Sequence, residues 1–206
     1  MKVRKQIVLS IRLLLCVSIA SSQEITSNGI VVGPHSFSTF LERQNKTLIA
    51  KGTSYLTYFR LAICSAVLYL EPHASNHIVT SVHNSTSNES SSIALEISYH
   101  KSVRASDFRW ATTHYTKKNG WHDSDSVKEL IDEFNLLYRD VRRDDRYLLE
   151  YHSEGVALSL NGDFLGNVGA GSPYEKELAQ AIYSIWFGQY PFFERLKRDL
   201  LSPISL

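Results

Sequence analysis

The apolar positions of this 206-residue chain change their period along its length. Over residues 52–71, "GTSYLTYFRLAICSAVLYLE", almost every position is apolar, aromatic or β-branched, enough for one long strand or two shorter ones. In "IALEISY" the pattern becomes strict alternation, with Ile93, Leu95, Ile97 and Tyr99 on one face of a half-buried strand. Shorter strands are expected near Gly29–Val32 and at His77–Val82, the second followed by the loop "HNSTSNESSS". Helical spacing then takes over. One helix is expected over Ala105–Lys118, stopped by Asn119-Gly120. A stronger one is expected from Ser126 to Arg142, its stripe running from Val127 through Phe134 to Tyr138 and Val141, with Asp123–Asp125 at its positive end.

Strands return at "YLLEY" and "VALSL", and Asn161-Gly162 is the best short hairpin signal, because both residues tolerate positive φ. Ser172-Pro173-Tyr174-Glu175 predicts a helix start, with Ser172 as N-cap and Pro173 in the first turn. Leu178, Ile182, Ile185 and Trp186 form its inner stripe and Gly188 closes it. A last helix is expected from Pro191, with Phe192, Phe193, Leu196 and Leu200 inward. Strands, then helices, then a hairpin, then helices predict an α+β fold: a large antiparallel sheet covered on one face by helices.

The N-terminus departs from this pattern. Lys2, Arg4 and Lys5 precede an apolar run from Ile7 to Ala20, and Ser18 and Ala20 supply a small-residue cleavage pattern. Residues 1–20 therefore read as a secretory signal peptide, residues 21–44 as a polar entry and residues 45–206 as one domain. The expected location is exported, periplasmic or extracellular, with no membrane span after cleavage. Residues 1–20 hold four basic side chains and no acid, so 18 basic face 21 acidic residues without them, a net charge of −3. That balance gives no electrostatic footprint for nucleic acid. Cys16 leaves with the signal, making Cys64 the single thiol of the mature chain and an intrachain disulfide impossible. Its apolar neighbours mark Cys64 as a small buried hydrophobe. Asn45, Asn84 and Asn88 begin Asn-x-Ser/Thr triplets, which matter only in a glycosylating source.

Motif chemistry is sparse. The sequence holds no Gly-rich phosphate loop, no Cys-x-x-Cys and no His-Glu-x-x-His. His73 and His77 are four apart, but Pro72 and Asn76 place them in a turn, so no metal is expected there. The acid pairs Asp123/Asp125 and Asp144/Asp145 are expected at helix ends, in capping and solvation. The abundant aromatic residues either fill the core or line an amphiphile pocket.

The 52–71 stretch, the run "LLYRDVRRDDRYLLEY", then "VALSLNGDFLGNVG" and "ELAQAIYSIWFGQYPFFERLKRDLL" resemble the chalcone isomerase-like family, and most of all its exported bacterial branch. The resemblance covers roughly residues 45–201. It implies an open-faced β-sandwich whose cleft holds the chalcone in plant isomerases and fatty acids in related non-enzymatic members. In the enzymes an arginine of the first motif holds the substrate phenolate, and ring closure needs the developing enolate charge stabilised. Matching that motif through Leu68-Tyr69-Leu70 places Leu56 at the arginine position. Cys64 falls on the polar position farther along, and Ile185 on a hydroxyl position of the C-terminal helix, with Ser184 adjacent. The resemblance thus implies an isomerase frame without the isomerase side chains.

Arg60 is the remaining cation of the stretch. In an unbroken strand it would share a face with Leu56, Tyr58 and Cys64 and could hold a carboxylate head group; otherwise it reaches solvent. The expectation is a non-catalytic protein binding a small amphiphile, such as a fatty acid, with Tyr58, Arg60 and Cys64 in contact with it. Two alternatives stay open. One is an intramolecular lyase of chalcone-isomerase type with a phenolic substrate. The other is a structural or partner-binding envelope protein whose cleft is filled by its own side chains. No cofactor is expected.

Overall fold

In chain order the strands are β1 (Gln23–Thr26), β2 (Gly29–Val32), β3 (His35–Phe37), β4 (Phe40–Arg43), β5 (Lys46–Tyr58), β6 (Leu61–Leu70), β7 (Ile93–Tyr99), β8 (Arg146–His152), β9 (Gly155–Leu160) and β10 (Asp163–Val168). The helices are α1 (Ala105–Lys118), α2 (Asp125–Asn135), α3 (Glu175–Phe187) and α4 (Glu194–Leu201). The structure is a computed structural model and describes residues 23–26, 29–43, 46–74, 92–152 and 155–204. The expected strand at His77–Val82, the residue 1–20 segment and Asn45, Asn84 and Asn88 lie outside the described residues.

Strands β4 to β10 form one seven-stranded sheet in chain order, every neighbouring pair antiparallel, and β1–β3 form a separate three-stranded sheet. The alternation of β6 and β7 explains how the layers stack. Cys64, Ala66, Leu68 and Leu70 with Ile93, Leu95 and Ile97 enter the larger core, beneath the helices. Val67, Tyr69 and Ala94 point the other way and meet Ile30, Val32 and Phe37 of the small sheet in a second core. Both faces of β6 are thus covered, which accounts for its nearly continuous apolar run. Each large aliphatic side chain fully buried here contributes about 1.5–3 kcal/mol.

Helix α3 lies deepest, with Leu178, Ala181 and Ile182 at 0% exposure. Its Tyr183 hydroxyl is held at the carbonyls of Ile93 (3.1 Å) and Leu149 (3.2 Å), which fixes the helix against the middle of the sheet. An α+β open sheet layered with helices on one face is what the strand and helix order predicted; the small sheet on part of the other face is an addition.

Three local expectations need correction. The helix expected to Arg142 ends at Asn135. Leu136 and Leu137 already make tighter bonds to the carbonyls of Glu133 and Phe134, and Val141 pairs with Val103 as an isolated bridge. Tyr138 and Val141 stay buried, so the inward pattern persists on a chain that is no longer helical. Asp144 and Asp145 consequently sit in a turn and cap no helix: Asp145 accepts from the Arg142 backbone and the Asn161 side chain. At α3 the cap is shifted, since Ser172 binds Tyr174 N in a preceding turn and the helix begins at Glu175. The last helix likewise begins at Glu194, three residues after Pro191.

The third correction concerns residues 52–71. The chain doubles back at Phe59-Arg60, where φ is 48° and 64°, and Tyr58 pairs with Leu61. This is a two-residue hairpin of the positive-φ type, built from two residues that rarely adopt it. The unbroken strand that would align Arg60 with Leu56 does not exist.

Candidate ligand cavity

The hairpin end of β5–β6 is the floor of a cavity of about 350 Å³ between sheet and helices. Its position follows from an irregularity in the ladder. Leu56 pairs with Cys64 but Thr57 pairs with Ala62, so Ile63 is an extra residue on β6. The bulge lets both Ile63 and Cys64 face the cavity beside Leu56 and Tyr58. Its free carbonyl is used: Ile63 O accepts from His100 N at 3.0 Å.

The roof comes from α1 and the segment after α3. Asn119 at the end of α1 ties these together, donating to Tyr190 O (3.2 Å) and accepting from Tyr190 N (3.0 Å). Phe192 N donates to Ile185 O, and Phe192 and Phe193 stack edge to face over the opening. Trp110 and Phe192 remain exposed although both line the cavity.

Polar groups are few. Thr112 and Tyr138 hydroxyls bond each other at 2.9 Å and are buried. Tyr58 also lines the cavity, and its hydroxyl is buried with no hydrogen-bond partner among the described residues. Lys101 and Asp107 stand at the rim, both exposed, and Asp107 already pairs with Arg104 at 3.3 Å. Burial pushes the Cys64 thiol up to about 12. Burial likewise raises the Tyr99 and Tyr138 hydroxyls well above their ordinary value, with Cys64 adding to the effect at Tyr99. Cys64, Tyr99 and Tyr138 are thus held in their neutral forms, and among the described residues the one cation of the lining, Lys101, is at the mouth.

Arg60 is exposed on the hairpin turn and is not part of the lining. Tyr58 and Cys64 are in the lining, as are Leu56 and Ile185. Phe108, Trp110 and Thr112 had no sequence signal, since their helix carries only a weak apolar stripe; Phe192, expected inward on the last helix, instead precedes that helix and joins the lining while staying exposed. Ser65 and His100 form a serine–histidine pair (2.9 Å) on the opposite face, but the Ser65 hydroxyl is fully buried and donates to Val32 O. It is no nucleophile. Among the described residues the candidate metal-ligand cluster, His35, His100 and Asp144, also lies on that far face.

The sequence profile of the chalcone isomerase-like family matches residues 32–202. The chain belongs to the chalcone isomerase-like family. The fold carries the same likeness: the structure of a fatty-acid binding protein from Arabidopsis thaliana, AtFAP1, superposes with a TM-score of 0.57 at 13% identity, over 87% of this chain and 96% of that one. No curated protein matches the chain. In this chalcone isomerase-like protein Leu56, Cys64 and Ile185 all stand in the wall of one cavity. Two of them, Leu56 and Cys64, are direct cross-strand partners.

Proposed function

We propose that this chalcone isomerase-like protein binds a small amphiphile, such as a fatty acid, in the cavity over the β5–β6 hairpin and performs no ring closure. The observation that carries the reading is the wall itself, an apolar hollow of about 350 Å³ lined by Leu56, Cys64 and Ile185, the positions where the family resemblance implies the polar side chains of the enzymes. A hollow of that size falls in the range of small-molecule sites, and an apolar chain gains from leaving water for it. The similarity in fold to a fatty-acid binding protein supports the same reading. Without an internal arginine, the polar head of the ligand belongs at the mouth, near Lys101, or against the unpaired Tyr58 hydroxyl. A buried hydroxyl without a partner costs about 1–3 kcal/mol, and a ligand oxygen that reaches it recovers part of that cost.

Delipidated protein is expected to bind a fluorescent fatty acid with saturable one-to-one stoichiometry, and native mass spectrometry is expected to show the unlabelled complex. An absence of saturable binding across chain lengths overturns the reading. Tyr58→Phe is expected to weaken binding by roughly two- to tenfold, the worth of one hydrogen bond, and to leave the free protein as stable or more so. A chalcone added to the protein is expected to cyclise at its spontaneous rate; acceleration lost on blocking the cavity would establish the lyase alternative instead.

Export belongs to the same proposal. It is supported by the basic start, the apolar run and the small-residue cleavage pattern of residues 1–20. N-terminal sequencing of protein from its native source is expected to begin near residue 21; an N-terminus at Met1 overturns it.

A further inference from the structure

The mouth of the cavity is bordered by aromatic side chains that the fold leaves in water. At the β5–β6 turn Phe59 is 69% exposed, the highest value for a large apolar side chain among the described residues. On the helical side Trp110 of α1 is 55% exposed, and Phe192 is exposed as well. The rings are connected. Phe59 packs edge-on against Tyr58 at 4.5 Å, Tyr58 reaches Phe193 at 6.5 Å, and Phe193 meets Phe192 at 4.4 Å. From α1, Trp110 stacks on His114 at 4.9 Å, and His114 leads through Tyr115 to Phe192. A continuous apolar edge marks a contact surface, whereas single exposed rings do not. We propose that this mouth docks on the surface of an anionic phospholipid bilayer, with Phe59 and Trp110 entering the headgroup region.

The charges around the rings select that occupant. Residues 100–121 hold five basic side chains, Lys101, Arg104, Arg109, Lys117 and Lys118, against one acid, Asp107. This surplus of four stands in a chain whose residues 21–206 sum to −3. Asp107 is taken by Arg104, and Arg109 donates to the carbonyls of Asn135 and Tyr138. Lys101, Lys117 and Lys118 are exposed and have no carboxylate partner among the described residues, and Arg60 adds a further exposed cation beside Phe59. Glu194, after Phe193, returns one negative charge. Aromatic rings at headgroup level with lysine and arginine beside them are the pattern of a protein lying on a membrane. Each cation adds attraction to an anionic leaflet, and its aliphatic stem can rest along the apolar boundary. Two copies of this chain meeting mouth to mouth would instead oppose like charges.

The geometry suits shallow contact. On α1, Trp110, His114 and Lys117 are separated by four and three residues and share one helix face. The turn that carries Phe59 and Arg60 has φ of 48° and 64°, so two residue types that avoid this region are set at the tip beside the cavity. No described helix is long and apolar enough to cross a membrane. On the reading of the cavity as an amphiphile site, docking places its opening against the layer that stores amphiphiles, and an acyl chain enters without passing through water.

Co-sedimentation of the full-length, delipidated chain with vesicles is the test. Phosphatidylcholine alone is compared with phosphatidylcholine holding about a quarter phosphatidylglycerol. The anionic vesicles are expected to bind at least about tenfold more tightly, a margin that added salt narrows. Phe59→Ser, and Lys117→Gln combined with Lys118→Gln, are each expected to weaken that binding at least about threefold, with far-UV circular dichroism unchanged. Brominated lipid is expected to quench the tryptophan fluorescence of the parent, and Trp110→Phe to remove most of that quenching. All these variants keep residues 1–20, so adsorption through that apolar segment would leave them equal to the parent and overturn the proposal. Equal affinity for both vesicle types would overturn it too. A dimer in ultracentrifugation that Phe59→Ser returns to monomer would also do so, assigning the surface to a second copy. The vesicles contain no free fatty acid, so docking is read whether or not the cavity binds one, and the fluorescent titration reports on the cavity separately.

Discussion

Ala111→Trp is expected to abolish fatty-acid binding and leave the protein folded. Ala111 lines the roof of the cavity from α1 and is only half-buried, so an indole can extend into the hollow without moving a packed backbone. Tryptophan costs a helix interior well under 1 kcal/mol relative to alanine. The volume it occupies is the volume an acyl chain needs, so affinity is expected to fall at least about tenfold, or 1.4 kcal/mol. Circular dichroism and the melting temperature check the fold, and the fluorescent ligand checks the site. A folded variant that still binds with the parent affinity would place the ligand elsewhere.

Gly52→Ala is expected to be the most damaging single methyl group in the frame. A Cβ at Gly52 would lie 1.7 Å from the Leu200 carbonyl oxygen and 2.5 Å from its carbon. Both are backbone atoms of α4, so no side chain can rotate aside. The helix must lift from β5, or the strand must distort beside its Ala50/Gly52 bulge. Overpacking of this kind costs about 1–3 kcal/mol, read as a lower urea midpoint with an unchanged slope. Because Leu196 of α4 lines the cavity, ligand affinity is expected to fall as well. Stability within about 0.5 kcal/mol of the parent would show that α4 is not docked closely against the strand.

What the sequence disclosed depended on whether the signal was local. β7, β9 and α1 read directly from alternation and from the Asn119-Gly120 stop. Asn161-Gly162 turns with φ of 54° and 89°, as its residue types require. The hairpin at Phe59-Arg60 was illegible for the converse reason: its turn uses two residues that avoid positive φ, held there by the strands on either side. That hidden turn is why Arg60 was expected in a shared face and instead stands in solvent. The second helix was read too long because burial continued through Tyr138 and Val141 after the helical hydrogen bonds had ended. In the cavity, Leu56, Cys64 and Ile185 were reachable through the family motif, whereas Trp110 joins the lining only through tertiary docking. The His35–His100–Asp144 cluster was invisible. Its members belong to three separated segments, and no spacing rule links residues that meet only when two sheets stack.

The order of the large sheet bears on how this chain assembles. Each strand from β5 to β10 lies beside its immediate predecessor, so no late strand has to be threaded between two that are already paired. Such a sheet can grow by successive addition from its N-terminal edge as the polypeptide emerges from a ribosome or a translocation pore, with each step closing a mostly short loop. Half of the helical cover arrives after the whole sheet, because α3 and α4 follow β10 and are the last elements among the described residues. Until they dock, the apolar surface that they hide stays open to water, and that interval is when the nascent protein has most need of a chaperone.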